Sequence, residues 1–232
     1  QAKYLIINGD DLNCKNIVHN KKVTFGLGEG NDIKGQIISR DNNGYKVKVS
    51  YFDKEKLFVI PHPGDFMVYN FLASIALCSM LSSDWGDIQE KIFDFKRPFR
   101  RMEEYYHYDN IIIDDYAHHP TEIKHCLNAI KQKYPDKQLV VIFQPHTYSR
   151  SLALMKEFIA SFASVDQLYL EKTFTSVRER FDPILEKYIV KQFKNAYRFN
   201  SQNFKKIKNL RNSVILFLGA GDVNRYINQL IN

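Results

Sequence analysis

The stretch that most constrains this chain is Ile111 to Pro120, which reads I-I-I-D-D-Y-A-H-H-P. Three β-branched residues run into two carboxylates, an aromatic, two histidines and a proline. A short β-branched run closed by polar residues reads as a buried parallel strand ending in a loop. Pro120 falls where a helix would begin, because its missing N–H costs nothing in a first turn. Open parallel α/β sheets bind ligands beyond the carboxyl ends of their strands. Two acids and two imidazoles therefore sit where such a fold does its chemistry. The plain alternative is that Asp114 and Asp115 cap the next helix and the histidines are solvated.

The rest of the chain fits an α/β architecture. Lys96-Arg97-Pro98-Phe99 reads as a boundary between domains. Beyond it, strands are expected at 110–114, 139–143, 167–170, 214–218 and, weakly, 196–199. Helices are expected between and after them, at 121–133, 151–162, 183–193, 202–209 and 223–230. Such alternation implies right-handed crossovers and a mostly parallel, doubly wound sheet. Before the boundary, a strand at 4–8 leads to a turn, Gly9-Asp10-Asp11, that starts a short helix. Alternating runs at 35–39, 45–51 and 56–60 are broken by Asn42-Asn43-Gly44 and Asp53. They predict a small antiparallel meander, with Asn and Gly taking the positive φ of tight turns. A long helix is predicted over 66–82, with Phe71, Leu72, Ile75, Ala76 and Ser79 on one face, and a second over 87–95.

A 232-residue chain with 44% hydrophobic and 25% charged residues can bury an ordinary globular core. No apolar run approaches a membrane span, and no N-terminal signal pattern appears. Cys14, Cys78 and Cys126 are far apart and form neither a metal spacing nor a disulfide framework, so a reducing, cytoplasmic setting is expected. The net charge of +7 suits acidic partners. There is no helix-turn-helix, zinc finger or RNP pattern, so no nucleic-acid partner is expected. A nucleotide or phosphorylated substrate fits the charge equally well.

A second polar cluster closes the strand at 139–143, in F-Q-P-H-T-Y-S-R, Phe143 to Arg150. If the two strands are neighbours, His146 and Arg150 lie beside the first loop. Arginine grips a carboxylate best, because its planar fork makes two parallel hydrogen bonds. Tyr116, His118, His119, His146 and Arg150 would then suit a small anionic or zwitterionic substrate. Adjacent His118 and His119 point apart and make poor joint ligands, so no metal site is expected. Gly219-Ala220-Gly221-Asp222 lacks the third glycine of a dinucleotide fingerprint and follows the last strand, so it reads as packing geometry. Ser176 to Arg180 reads as a solvated polar loop.

The stretches D-D-Y-A-H-H-P-T-E and F-Q-P-H-T-Y-S-R together resemble the C-terminal domain of the Mur ligases, in particular the branch that joins L-alanine to UDP-N-acetylmuramate. R-P-F-R-R-M-E from Arg97, L-G-A-G-D-V from Leu218 and G-D-F-M-V-Y-N from Gly64 are similar to three further motifs of that family. These are its paired-Arg hinge, its closing strand and its helix-start motif. The resemblance implies that residues 1–97 are the C-terminal portion of a central ATP-binding domain, and that 98–232 are an amino-acid-binding, Rossmann-like domain. It implies an ATP-dependent, Mg2+-requiring ligase of peptidoglycan synthesis. There a substrate carboxylate is phosphorylated and the amino acid's amine attacks the acyl phosphate. Matched position by position, Asn70 would contact adenine, and Arg101 and Asp115 would contact ATP. Tyr116, His118 and Arg150 would lie near L-alanine, while His119 and His146 would shape the site.

Two departures from the family pattern stand out. Phe66 replaces the histidine of the helix-start motif, followed by Met67 where some members carry Asn. No G-x-x-x-x-G-K-[ST] phosphate loop occurs anywhere. The expectation is a C-terminal piece of the ligase, inactive alone, whose Mg2+ ligands belong mostly to an absent front part. Such a piece should self-associate through strand edges and apolar surface before Lys96. A non-catalytic Mur-like binding module is the competing reading. A Rossmann-type oxidoreductase is disfavoured by the missing fingerprint.

Overall fold

The computed structural model describes residues 2–81, 84–175 and 179–231. The chain separates into two compact units, Gln1–Lys96 and Arg97–Asn232.

The first unit runs β1 (Leu5–Asn8), α1 (Leu12–Lys15), β2 (Lys22–Gly26), β3 (Ile33–Asp41), β4 (Gly44–Tyr51), β5 (Lys54–Ile60), α2 (Asp65–Met80) and α3 (Trp85–Asp94). Its sheet has the order β1-β2-β3-β4-β5. The first three strands are parallel and the last three form the antiparallel meander, so β3 belongs to both halves. The turn chemistry differs from expectation. Neither Asn42 nor Asn43 takes positive φ; only Gly44 does, at 156°. The turn is held by Asp41, whose Oδ1 accepts the N–H groups of Asn43 and Gly44 at 2.8 and 3.0 Å. At the next turn it is Phe52, not Asp53, that is left-handed, with φ 52°.

Helix α2 lays Val68, Phe71, Leu72, Ile75 and Ala76 on this sheet. Phe58 of β5 meets Phe71 and Trp85 at centroid distances of 5.0 and 5.8 Å, which closes the core. The helix ends at Met80, short of the expected 82, a residue that lies outside the described ones. Helix α3 starts two residues earlier than expected, because the Asp84 carboxylate caps it by accepting from Gly86 N.

The second unit runs β6 (Glu103–His107), β7 (Asn110–Asp115), α4 (Pro120–Lys133), β8 (Gln138–Phe143), α5 (Tyr148–Ala153), α6 (Met155–Ser161), β9 (Gln167–Leu170), α7 (Pro183–Gln192), β10 (Ala196–Arg198), α8 (Ser201–Lys208), β11 (Ser213–Leu218), a 3-10 turn (Val223–Tyr226) and α9 (Ile227–Ile231). Its sheet has the order β10-β9-β8-β11-β7-β6, parallel throughout except for β6. This is a doubly wound, mostly parallel sheet, and every residue of β7 and β11 is buried. The chain is therefore of mixed α/β class.

Three local expectations change here. Strand β6, E-E-Y-Y-H, had no place in the pattern, because a polar edge strand carries no apolar run. The helix expected over 151–162 begins at Tyr148 and breaks at Leu154. Strands β7 and β8 are not neighbours, since β11 lies between them.

Candidate functional site

The site lies beyond the carboxyl ends of β7, β8 and β11. Strand β11 stops at Leu218 and turns through Gly219, whose φ is 143° and whose added Cβ would lie 2.6 Å from the Gln144 carbonyl. A glycine at this point lets the loops after β7 and β8 meet across the intervening strand. The His118 and His146 rings accordingly approach to 5.8 Å.

Asp114 and Asp115 do not cap α4. Asp114 is buried and faces Arg100, whose Nε donates to its two oxygens at 3.2 and 3.0 Å. Burial pushes the Asp114 carboxyl up to about 6, although Arg100 pulls it the other way. Asp115, also buried, accepts from Met102 N at 2.9 Å and Ala117 N at 2.8 Å. Its carboxyl too is raised by burial, against those two N–H groups and Arg101. The helix cap is His119. Its Nδ1 accepts from Thr121 N at 3.3 Å, while Glu122 reaches back to the N–H groups of His118 and His119.

Tyr116, His118, His146 and Arg150 come together, and Phe174 joins them. The Tyr116 and His118 rings meet edge-on at 5.5 Å. Phe174 stacks on His146 at 5.8 Å and 14°. Arg150 Nη1 donates to His146 Nδ1 at 3.3 Å. Arginine only donates, so His146 Nδ1 carries the lone pair and Nε2 the proton. At His118 it is Nδ1 that carries a proton, donated to the Tyr116 carbonyl at 3.1 Å. Burial, then Arg150 and His118, hold the His146 imidazole below its ordinary value, so it is neutral near pH 7.

The loop after β9 supports this row. Phe174 N donates to Pro145 O at 2.8 Å and Thr147 N to Phe174 O at 3.0 Å, which fixes Thr147 in a left-handed conformation, φ 67°. Glu179 accepts from Tyr148 N, Ser149 N and Ser149 Oγ. The Ser149 hydroxyl leads in holding its carboxyl low. Of the polar stretch 176–180, residues 176–178 lie outside the described ones.

Arg101 is exposed, with its guanidinium 5.6 Å from the Tyr116 centroid. Asn70 belongs to the first unit, exposed on the second turn of α2. Its neighbour Tyr69 donates to Asp10 at 2.9 Å, and burial with this bond pushes the phenol up to about 12. Among the described residues no group of three or more His, Cys, Asp or Glu could hold a metal ion. No described helix is long and apolar enough to cross a membrane. Phe174 and Arg100 were not among the expected site residues. The Arg pair was a visible signal, whereas nothing in the sequence brings Phe174 to His146.

A family model described as the Mur ligase, glutamate ligase domain matches residues 100–221, and one for the Mur ligase middle domain matches residues 1–78. A UDP-N-acetylmuramate–L-alanine ligase of Ligilactobacillus salivarius is 36% identical over 230 residues, 97% of this chain and 51% of that protein. The chain belongs to the Mur ligase family. A second relative of the same description, from Lactiplantibacillus plantarum, is 34% identical over 94% of this chain and 51% of its own length. This Mur ligase chain thus spans about half the length of the curated relatives it matches. Its fold matches the crystal structure of UDP-N-acetylmuramate-alanine ligase MurC from Thermotoga maritima, with a TM-score of 0.77 at 24% identity over 98% of this chain and 50% of that one. It also matches MurF ligase from the same organism in complex with ADP, with a TM-score of 0.71 at 16% identity over 97% of this chain and 52% of that one.

Proposed function

We propose that this chain is the amino-acid-binding part, with a portion of the nucleotide site, of an ATP-dependent ligase that joins L-alanine to UDP-N-acetylmuramate. The observation that carries the reading is the convergence of Tyr116, His118, His146 and Arg150 at the carboxyl ends of β7 and β8. ATP, bound with Mg2+, would supply the phosphoryl group that turns a carboxylate, a poor electrophile, into an acyl phosphate.

The chain's own residues orient the partners. Arg150 offers a planar fork to the carboxylate of the amino acid, and neutral His146 holds that fork by accepting one of its N–H groups. His118, whose Nδ1 is held by the Tyr116 carbonyl, faces the same space. Arg101 places a fixed cation on the nucleotide side, suited to the charge that spreads over phosphoryl oxygens. Asp115 keeps one lone pair on each oxygen for a hydroxyl donor. Asn70 contacts adenine in this reading. With no phosphate-loop pattern in the sequence, the 232 residues alone bind ligands without turnover.

Calorimetric titration tests this directly. L-Alanine is expected to bind weakly, and Arg150→Ala to abolish the heat. ATP with Mg2+ is expected to bind more weakly to Arg101→Ala. Equal binding of L-alanine to the Arg150→Ala chain sinks the reading of that site. Discrimination against glycine by the missing methyl alone should reach about 10–200-fold at most.

A further inference from the structure

We propose that Arg100, which has no assigned role, is the positioning residue that fixes Arg101 and Tyr116 in place; this rests on the reading of Arg101 given above. Arg100 is 8% exposed, and each of its three guanidinium nitrogens donates a hydrogen bond. Nε donates to Asp114, Nη1 to the Gly221 carbonyl at 2.7 Å, and Nη2 to the Gly219 carbonyl at 2.7 Å. One side chain thus ties the end of β7 to the turn that closes β11. The Gly219-Ala220-Gly221 turn, without a nucleotide fingerprint's third glycine, serves here as an acceptor for an internal cation.

The backbone on either side is tied down as well. Arg100 N donates to Glu103 at 3.1 Å, and Arg100 O accepts from Tyr116 N at 2.9 Å. Met102 N donates to Asp115 at 2.9 Å. Both Arg100 and Met102 are left-handed, with φ 56° and 53°, a conformation that costs a side-chain-bearing residue about 1–2 kcal/mol. Two such residues flanking one exposed arginine persist only where the surroundings over-determine them. The two adjacent carboxylates divide the work: Asp114 holds the side chain of Arg100, and Asp115 holds the backbone of Met102 and Ala117. Between these anchors Arg101 lies over the Tyr116 ring, with its guanidinium 5.6 Å from the centroid, and Arg100 approaches the same ring at 5.3 Å.

The test uses the full 232-residue chain and Arg100→Lys, which keeps a cation opposite Asp114 but loses the planar fork. In NMR spectra the Arg101 side-chain signals should be displaced by the Tyr116 ring current, a displacement defined by its loss in Tyr116→Leu. In Arg100→Lys that displacement should vanish and exchange at the Met102 and Tyr116 amides should rise about tenfold, with β8 and β9 amides still protected. A retained displacement with unchanged exchange overturns the proposal. Should Arg100→Lys lose protection throughout, Asp114→Asn, which keeps an acceptor oxygen, is expected to raise exchange at the same two amides; unchanged rates there overturn it. Titration with ATP and Mg2+ separates this from the nucleotide reading. Arg101→Ala with unaltered affinity would refute the role given to Arg101, leaving the spectra to judge Arg100. Affinity reduced about tenfold by both variants supports the positioning role. Affinity reduced by Arg101→Ala but not by Arg100→Lys refutes it.

Discussion

Arg100 and Arg101 are adjacent in sequence and opposite in environment, one buried and ion-paired, the other exposed. The difference predicts different costs. Arg100→Met would leave Asp114, 1% exposed, without its partner, and should lose about 3–5 kcal/mol in denaturant unfolding. Asp114 itself carries a pH signature. Its folded-state carboxyl, raised to about 6 chiefly by burial, binds a proton that the unfolded chain has already released. That contribution to stability is therefore full below the unfolded value, about 4, and is lost as pH rises through about 6. Asp114→Asn should flatten this part of the melting-temperature profile. His146 runs the other way. Its lowered value means that the folded state resists protonation, so its contribution is present above about 6.5 and is lost as pH falls through the folded value. An NMR titration of His146 should show its midpoint moving up towards the ordinary imidazole value in Arg150→Ala.

At the scale of elements, single residues at turns and caps set where strands and helices stop. Gly44 is required by contact as well as by φ, since a Cβ there would lie 1.9 Å from the Ile60 carbonyl. Gly44→Ala should therefore destabilise the first unit by more than about 1 kcal/mol, seen as a lowered denaturant midpoint. His119 replaces the usual Ser, Thr or Asp at the start of α4, and the reciprocal bond from Glu122 completes the cap. Removing the imidazole in His119→Ala should cost about 0.5–2 kcal/mol by the same measurement. The Glu three residues beyond His119 was a legible capping signal, whereas the plain alternative gave the cap to Asp114 and Asp115. They are buried at the strand end and already committed to Arg100, Met102 and Ala117.

For the whole molecule, charge is unevenly divided. From Arg97 onward there are 21 Lys and Arg against 14 Asp and Glu, and before it 12 against 12, so the entire +7 belongs to the second unit. An anionic ligand held there should bind less tightly as ionic strength rises. The first unit exposes Leu12 (80%) and Val18 (92%) near β1, which is an edge strand of its sheet. Sedimentation velocity is expected to show concentration-dependent association, relieved by Leu12→Lys with Val18→Lys. A monomer at every concentration would count against it.

The sequence alone determined the α/β class, the meander, the strand-to-helix rhythm after Arg97 and the polar ends of β7 and β8. These are local matters: periodicity, turn residues and β-branched runs act within a few residues of one another. Tertiary structure decided what those polar ends do. Local pattern carries no strand order, so the insertion of β11 between β7 and β8 was not legible. The pairing of Arg100 with carbonyls at Gly219 and Gly221, 119 and 121 residues away, could not be read either. Nor could the stacking of Phe174 on His146. Each depends on which side chains the sheet brings together once burial has chosen its faces, and on donors and acceptors that must be matched wherever water is excluded.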